Sequence, residues 1–489
     1  QSNKRAFIVV ADGTVNTLTD GSTYAVSDED QKGTLFTNGK LHFSGTGTLN
    51  VTGNCRHAVV ADDYITTRRG VVLNLTSNAA DALHANDGIF IRGGNLTLNA
   101  ASNGIEVDKA GLYIGSGNVT INSTNDGIKT SCDSANYARS IRIVGGNINI
   151  ITTGEKGHAV SSNDSVIVRG GLLRAKTSGK AAKGIKADGN VVVTGGDIVL
   201  CTTGDVLYES ATTTSSADLS AAAGVKATNL YMNGGSLRTS VSGTGAKGIS
   251  IDGTLNLNGG YVYACASGTN YRSGNLHSYT KGVKADGNIS IKAGSIVVSA
   301  LSGEHSEGIE SKTRIDISGG NVVVKAYDDA INAASAITIS GGNVYAFATN
   351  NDGIDSNGTI DISGGLTVAV GSSSPEEGID VDKNNNFSIS GGTVVGIGGK
   401  GMSCYPQGSA TSQYTVFYTP SLTTNTKLCI SDGTNQLLLL NCLCNYGSDC
   451  GLLFSSPALQ PGTTYTIYTN GTISGTEGAI IKVTIVAGS

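Results

Sequence analysis

Apolar and polar residues alternate in short runs along most of the chain. Asn190-Val191-Val192-Val193 and Thr359-Ile360-Asp361-Ile362 hold β-branched side chains at alternate positions between glycine-rich breaks. Successive side chains of a strand point to opposite faces, so this is the pattern of half-buried β-structure. The breaks themselves are periodic. A Gly-Ile pair, with Ala or Val variants, recurs from Ala58-Val59 and Ala82-Leu83 through Gly104-Ile105, Gly184-Ile185 and Gly308-Ile309 to Gly401-Met402, and ten of the thirteen intervals are 22 to 26 residues. Usually 11 residues after each mark comes a second glycine signal, as at Gly195-Gly196, Gly259-Gly260 and Gly341-Gly342. A strand-turn-strand-turn unit of this length cannot bury its apolar face alone and must stack on its neighbours. The pattern predicts an all-β chain built as a right-handed parallel β-helix with coils of about 24 residues, the hand following from chain chirality. A propeller blade needs about 40 residues, and the leucine-rich signature is absent.

The period sets the expected boundaries. Residues 1–57 read as an N-terminal β cap, residues 58–403 as the parallel β-helix, and residues 404–489 as a small antiparallel β module over the open end. An uncovered last coil would present a strand edge to other chains.

Composition narrows the function classes. The chain has 489 residues, 69 of them glycine, no tryptophan, and 33 Lys+Arg against 38 Asp+Glu. A net charge of −5 spread over this length gives no footprint for nucleic acid. No apolar run approaches a membrane span. Gln1 opens with no basic and apolar leader, so an export signal has been removed or was never present. Nine cysteines include Cys429, Cys442, Cys444 and Cys450, whose spacing fits no zinc pattern.

Several stretches carry a family resemblance. Asn16-Thr17-Leu18-Thr19-Asp20-Gly21, Lys32-Gly33-Thr34-Leu35-Phe36, Ser44-Gly45-Thr46-Gly47, the Asp-Gly-Ile and Ser-Gly-Gly coils, Leu453-Phe454-Ser455-Ser456-Pro457 and Gly462-Thr463-Thr464-Tyr465-Thr466 resemble one bacterial family. Its members are labelled carbohydrate-binding domain-containing proteins and occur in gut Bacteroidetes and Firmicutes. The resemblance implies a secreted or cell-surface β-helix that binds glycan, and it carries over no catalytic residue.

Aligning the coils turns the sequence into columns. The residue after Ile should face outward, and the residue before Gly should sit at the turn. Read this way, Lys183, Lys186, Lys226, Lys247, Lys281 and Lys284 form a basic block. Glu307, Glu310, Asp329, Asp352, Asp355, Glu377 and Asp380 form an acidic block after it. Rungs lie about 4.8 Å apart, where like charges repel by roughly 1 kcal/mol in water. The lysines are therefore expected to meet an anionic polysaccharide, and the carboxylates to hold calcium. Long insertions at 131–140, 201–223 and 265–281 bring Tyr137, Tyr208, Tyr271, Tyr279, Arg272 and His277 beside the same face. Tyrosines there suit stacking on sugar rings.

Parallel β-helices also host pectin-degrading enzymes, so catalysis is weighed on residues. Asp328/Asp329 and Asp352/Asp355 could pair across rungs for hydrolysis, but companion motifs are missing. Lyase chemistry needs a base and a cationic stabiliser, for which Lys186, Lys226, Lys284 and Arg272 are the candidates. The expected function is non-catalytic polysaccharide binding by a monomeric extracellular protein through the Gly-Ile face. A uronate lyase, or a surface adhesin or spacer with a protein partner, is the alternative.

Overall fold

The computed structural model describes residues 4–27, 31–131, 139–210, 214–382, 386–400, 406, 413–469, 471–472, 475–476 and 480–484. The chain divides into two compact units, Gln1–Thr280 and Lys281–Ser489. Both are nearly all β, and stacked parallel coils of about 25 residues form a β-solenoid in each. No described helix is long and apolar enough to cross a membrane.

Early coils contribute three strands each, and in later ones neighbouring strands run together, as in Arg314–Ala326 and Ala336–Ala348. One coil of the first unit runs through Ile105–Val107, Leu112–Ile114 and Asn118–Ser123. These pair in parallel with Ile128–Thr130, Ile141–Ile143 and Asn147–Thr152 of the next coil. Register keeps like above like, so Ile105, Ile128, Val160, Ile185 and Val225 form one buried file. The second unit repeats the arrangement with Val283, Ile309, Ile331, Ile354 and Ile379. A one-residue slip would turn every such file toward water, which is why the register is strongly specified. On the outer side of the third strands, amides stack as hydrogen-bonded pairs, Asn118 to Asn95 at 2.8 Å and Asn122 to Asn99 at 3.0 Å. Between second and third strands sit the Gly-Gly turns. Gly196 has φ of 83°, and a Cβ there would meet the backbone of Gly170 and Gly171 at 2.8 Å.

Residues expected as a cap follow the same plan. Arg5–Val10 pairs in parallel with Lys40–Gly45, Val15–Thr19 with Thr48–Gly53, and Gly33–Thr37 with His57–Ala61. At the far end of the second unit the pairing reverses. Gly451–Ser455 runs antiparallel to Phe387–Gly398 and to Thr415–Tyr418. A separate antiparallel sheet joins Gln436–Asn441, Lys427–Ser431, Thr464–Tyr468 and Ile480–Thr484. Leu428, Ile430, Leu452, Phe454 and Tyr465 build its core. Cys429, Cys442, Cys444 and Cys450 carry free thiols.

Candidate functional site

One place after the mark, His84, Glu106, Lys129, Lys186 and Lys226 are half-buried on their strands, whereas Ser161 and Glu310 at the same position are buried. The residue before each Gly behaves differently. Asp81, Asn103, Asp126 and His158 are buried, and each side chain accepts the backbone N–H of its counterpart one coil on. Asn103 N–H reaches Asp81 Oδ1 at 2.8 Å, Asp126 N–H reaches Asn103 Oδ1 at 3.0 Å, and His158 N–H reaches Asp126 Oδ1 at 2.7 Å. Lys183 N–H donates to His158 Nδ1 at 3.0 Å. An N–H in this buried turn needs a partner, so the column selects acceptors. Burial pushes Asp126 up to about 6 and His158 down to about 3, where Lys183, Lys186 and Lys156 add to the effect.

The lysines interrupt this file and are paired in place. Lys183 is buried and donates to Ser220 Oγ at 3.0 Å, and Lys247 donates to Ser278 Oγ at 2.6 Å. Both hydroxyls come from the long insertions. Burial lowers Lys183 to about 8. On the outward positions Lys186 meets Asp188 at 2.7 Å, Lys226 meets Asp252, and Lys284 meets Asp286 at 2.6 Å. Lys281 is buried between Glu307 and Glu310, 2.7 Å from the latter. Against the upward push of burial, the ammonium groups of Lys281 and Lys312 move Glu310 down, whereas burial moves Glu307 up.

The two later insertions do come together. Leu207–Tyr208 pairs with Leu219–Ser220, Tyr271–Ser273 pairs with Leu276–Ser278, and the Tyr208 and Tyr271 rings meet edge to face at 6.1 Å. His277 N–H donates to Ser216 Oγ at 2.8 Å, and its ring stacks on Tyr279 at 4.8 Å. Arg272 lies 5.3 Å over Tyr279. Tyr137 lies outside the described residues.

Among the carboxylates, Asp352, Asp355 and Asp380 each place an oxygen within 4.8 Å of the others. Asn332 Nδ2 bridges Asp329 at 2.7 Å and Asp355 at 2.9 Å. Asp352 accepts the Glu377 N–H, the same acceptor role seen in the first unit. Burial and neighbouring carboxylates raise Asp329 to about 8, Asp352 to about 9 and Asp355 to about 7. Such a group either shares protons or takes a hard cation.

A further surface, absent from the sequence reading, lies on the second strands of Gln1–Thr280. Phe7, His42, Thr66, Phe90, Tyr113 and Arg142 occupy one file in register. Tyr64 fills the gap left by Thr66. Phe7 stacks on His42 at 4.8 Å, and Tyr64 meets His42 and Phe90 edge to face at 5.6 and 5.8 Å. Phe7 is 60% exposed. A concavity of about 790 Å³ opens here between Tyr64, Phe90, Arg68, Arg69 and Arg92, with His42 at its floor. A second of about 420 Å³ continues past Phe90 to Tyr113. His42 is 8% exposed, yet neither ring nitrogen has a hydrogen-bond partner among the described residues. Burial and the charges of Arg5, Arg68 and Lys40 push it below the ordinary imidazole value. Arg68, Arg69 and Arg92 are exposed and make no ion pair to a described residue. One aromatic per coil at 22 to 35 residues' separation leaves no motif. Aligning the second strands, as was done for the Gly-Ile strands, would have exposed the file.

Aromatic faces stacked at rung spacing, with donors along the edge, are suited to sugar rings. The comparisons agree with that chemistry. No curated protein and no solved structure matches the chain. A family model described as carbohydrate-binding domain-containing protein matches residues 1–270, 220–353 and 300–438. With nearly the whole coil array covered, the chain belongs to the family of carbohydrate-binding domain-containing proteins.

Proposed function

We propose that the protein binds an extended anionic polysaccharide, without cleaving it, along the aromatic and arginine face of Gln1–Thr280. The observation that carries this is the file from Phe7 through His42, Tyr64 and Phe90 to Tyr113, whose buried imidazole has no hydrogen-bond partner among the described residues and whose rim holds three arginines, Arg68, Arg69 and Arg92, against one carboxylate, Asp87. Rings follow one another at the coil repeat, a step comparable to the length of a sugar unit. Arginine presents a planar fork that matches a carboxylate, so uronate or similarly acidic sugars fit the rim. Such a ligand is met outside the cell or on its surface, and that is where the protein acts.

The Gly-Ile face is a second reading, favoured by one observation: the hairpins carrying Tyr208, Tyr271 and Arg272 meet beside the lysine column. Calcium held by Asp352, Asp355 and Asp380 is part of the proposal, as a structural cation of the second unit.

Affinity gel electrophoresis against neutral and acidic polysaccharides, with absorbance of an unsaturated uronate product read in parallel, tests the reading. Retention on acidic polymers without product is expected, weakened more than tenfold by Tyr64→Ala with Phe90→Ala and Tyr113→Ala. Product formation would replace it with the lyase. Retention that survives the aromatic changes and disappears with Lys186→Ala, Lys226→Ala and Lys284→Ala would move the site to the Gly-Ile face. Retention on nothing would favour a protein partner.

A further inference from the structure

Carbohydrate binding leaves unused a group that the stacking of coils brings together. His57 opens the strand His57–Ala61, and His84 lies within Leu83–Ala85, the strand paired with it one coil on, where His84 is in register with Val60. Their ring centroids are 4.5 Å apart. Asp81, buried to 3% exposure, points a single oxygen between them: Oδ2 is 3.3 Å from His57 Nδ1 and 3.0 Å from His84 Nδ1. One ligand atom from each of the three residues lies within 4.8 Å of the other two.

These separations have a chemical meaning. Imidazole nitrogen and carboxylate oxygen bind zinc at about 2.0–2.2 Å, which in a tetrahedron sets neighbouring ligand atoms roughly 3.3–3.6 Å apart. The two separations of Asp81 Oδ2 from the imidazole nitrogens are within a few tenths of an ångström of that. Asp108, from the following coil, stands 3.3 Å from His84 Nε2, the nitrogen on the far side of the ring. A carboxylate holding the distal N–H of a ligating histidine is the usual outer partner of such sites, since it fixes the tautomer and ring angle. The side chains of His57 and His84 are 22% and 13% exposed, so an ion can reach them from solvent. Ligation would displace two hydrogen bonds, the Asp81 N–H to His57 Nδ1 at 3.2 Å and that between His84 Nδ1 and Asp81 Oδ2 at 3.0 Å.

We propose that His57, Asp81 and His84 bind one divalent transition-metal ion of the zinc class, with Asp108 orienting His84. Two imidazoles and a single carboxylate favour zinc, cobalt or nickel over the hard cations that oxygen-only groups select. The site is distinct from the carboxylate group of the second unit in both ligand type and place.

The test uses the full chain. Calorimetry with zinc chloride should show one equivalent bound that excess calcium does not displace. Cobalt(II) should give a visible absorption band that zinc abolishes. His84→Gln should remove both signals, and Asp108→Asn should weaken zinc by about 10- to 100-fold, as loss of an outer partner does. Should His84→Gln fail to fold, His57→Gln and the cobalt band of the parent protein serve in its place. Absence of heat and of a band in the parent overturns the proposal. Unchanged affinity in the histidine variants overturns it too, and would assign the ion to the exposed His277 or His305.

Discussion

The polar side chains before each Gly-Ile pair are acceptors first and charges second. Asp81, Asn103, Asp126 and His158 differ in charge but each receives the backbone N–H of the next coil. Asp126 separates the two properties. Its carboxyl is raised to about 6 by burial, so ionisation costs stability, while its Oδ1 satisfies the His158 N–H at 2.7 Å. Asp126→Asn keeps the oxygen and drops the charge, and should leave the urea midpoint at pH 8 unchanged or higher. Asp126→Leu strands a buried N–H and should cost about 1–3 kcal/mol. Equal losses in the two variants would show that the charge, not the acceptor, is what the site needs. The sequence displayed this column clearly, yet its meaning was hidden. Alternation says which way a strand residue points, but these residues precede the strand, where the chain is still turning inward.

Between coils, size is matched across the interior. A Cβ on Gly127 would lie 2.3 Å from Ile150 Cγ2 and 2.6 Å from the Ala159 carbonyl oxygen. One coil on, the position of Gly127 is taken by Ala159, and the position of Ile150 by Ala175. The second unit does the same, with Gly308 against Val324 Cγ1 and then Ala330 where Ala346 replaces the valine. At these two places glycine with a large partner, and alanine with a small one, fill the same space, whereas Ala82 beside Leu98 and Gly353 beside Ala369 depart from the match. Gly127→Ala should therefore destabilise by about 1–3 kcal/mol through overpacking. Adding Ile150→Ala should recover part of that loss, a coupling that a double-mutant cycle in denaturant measures directly. If the double variant loses the sum of the single losses, the glycine answers to the backbone and not to the isoleucine. The period of these marks is what made the strands legible, because a solenoid repeats its steric problem every coil. The aromatic file carries no such constraint. Phe7, Tyr64, Phe90 and Tyr113 face solvent, where Thr66 and Arg142 are tolerated on the same file, so binding chemistry is written there without a repeat.

Charge is balanced overall but not locally. Against a net of −5 for the chain, the unit Lys281–Ser489 holds Asp329, Asp352, Asp355 and Asp380 around one another, with no described lysine or arginine paired to Asp329, Asp352 or Asp355. A carboxyl whose folded value is raised binds more protons folded than unfolded across the window between its unfolded and folded values. Stability then falls as pH rises through that window and levels off above it. For Asp355, Asp329 and Asp352 the window opens near the ordinary value of 3.8 and closes at about 7, 8 and 9. In chelator, thermal unfolding of this unit should shift to lower temperature from pH 5 to pH 9. Asp352→Asn retains an oxygen for the Glu377 N–H and removes one charge, so at pH 8 it should raise the midpoint, by about 2–4 °C for each kcal/mol regained in a unit of this size. Calcium offers the same relief by another route: a cation on Asp352, Asp355 and Asp380 should flatten the pH dependence in the parent protein and do less in the variant. A midpoint that falls with pH and ignores calcium would mean that the cluster is held together by shared protons alone. One that does not fall would mean that counter-charges reach these carboxylates in solution.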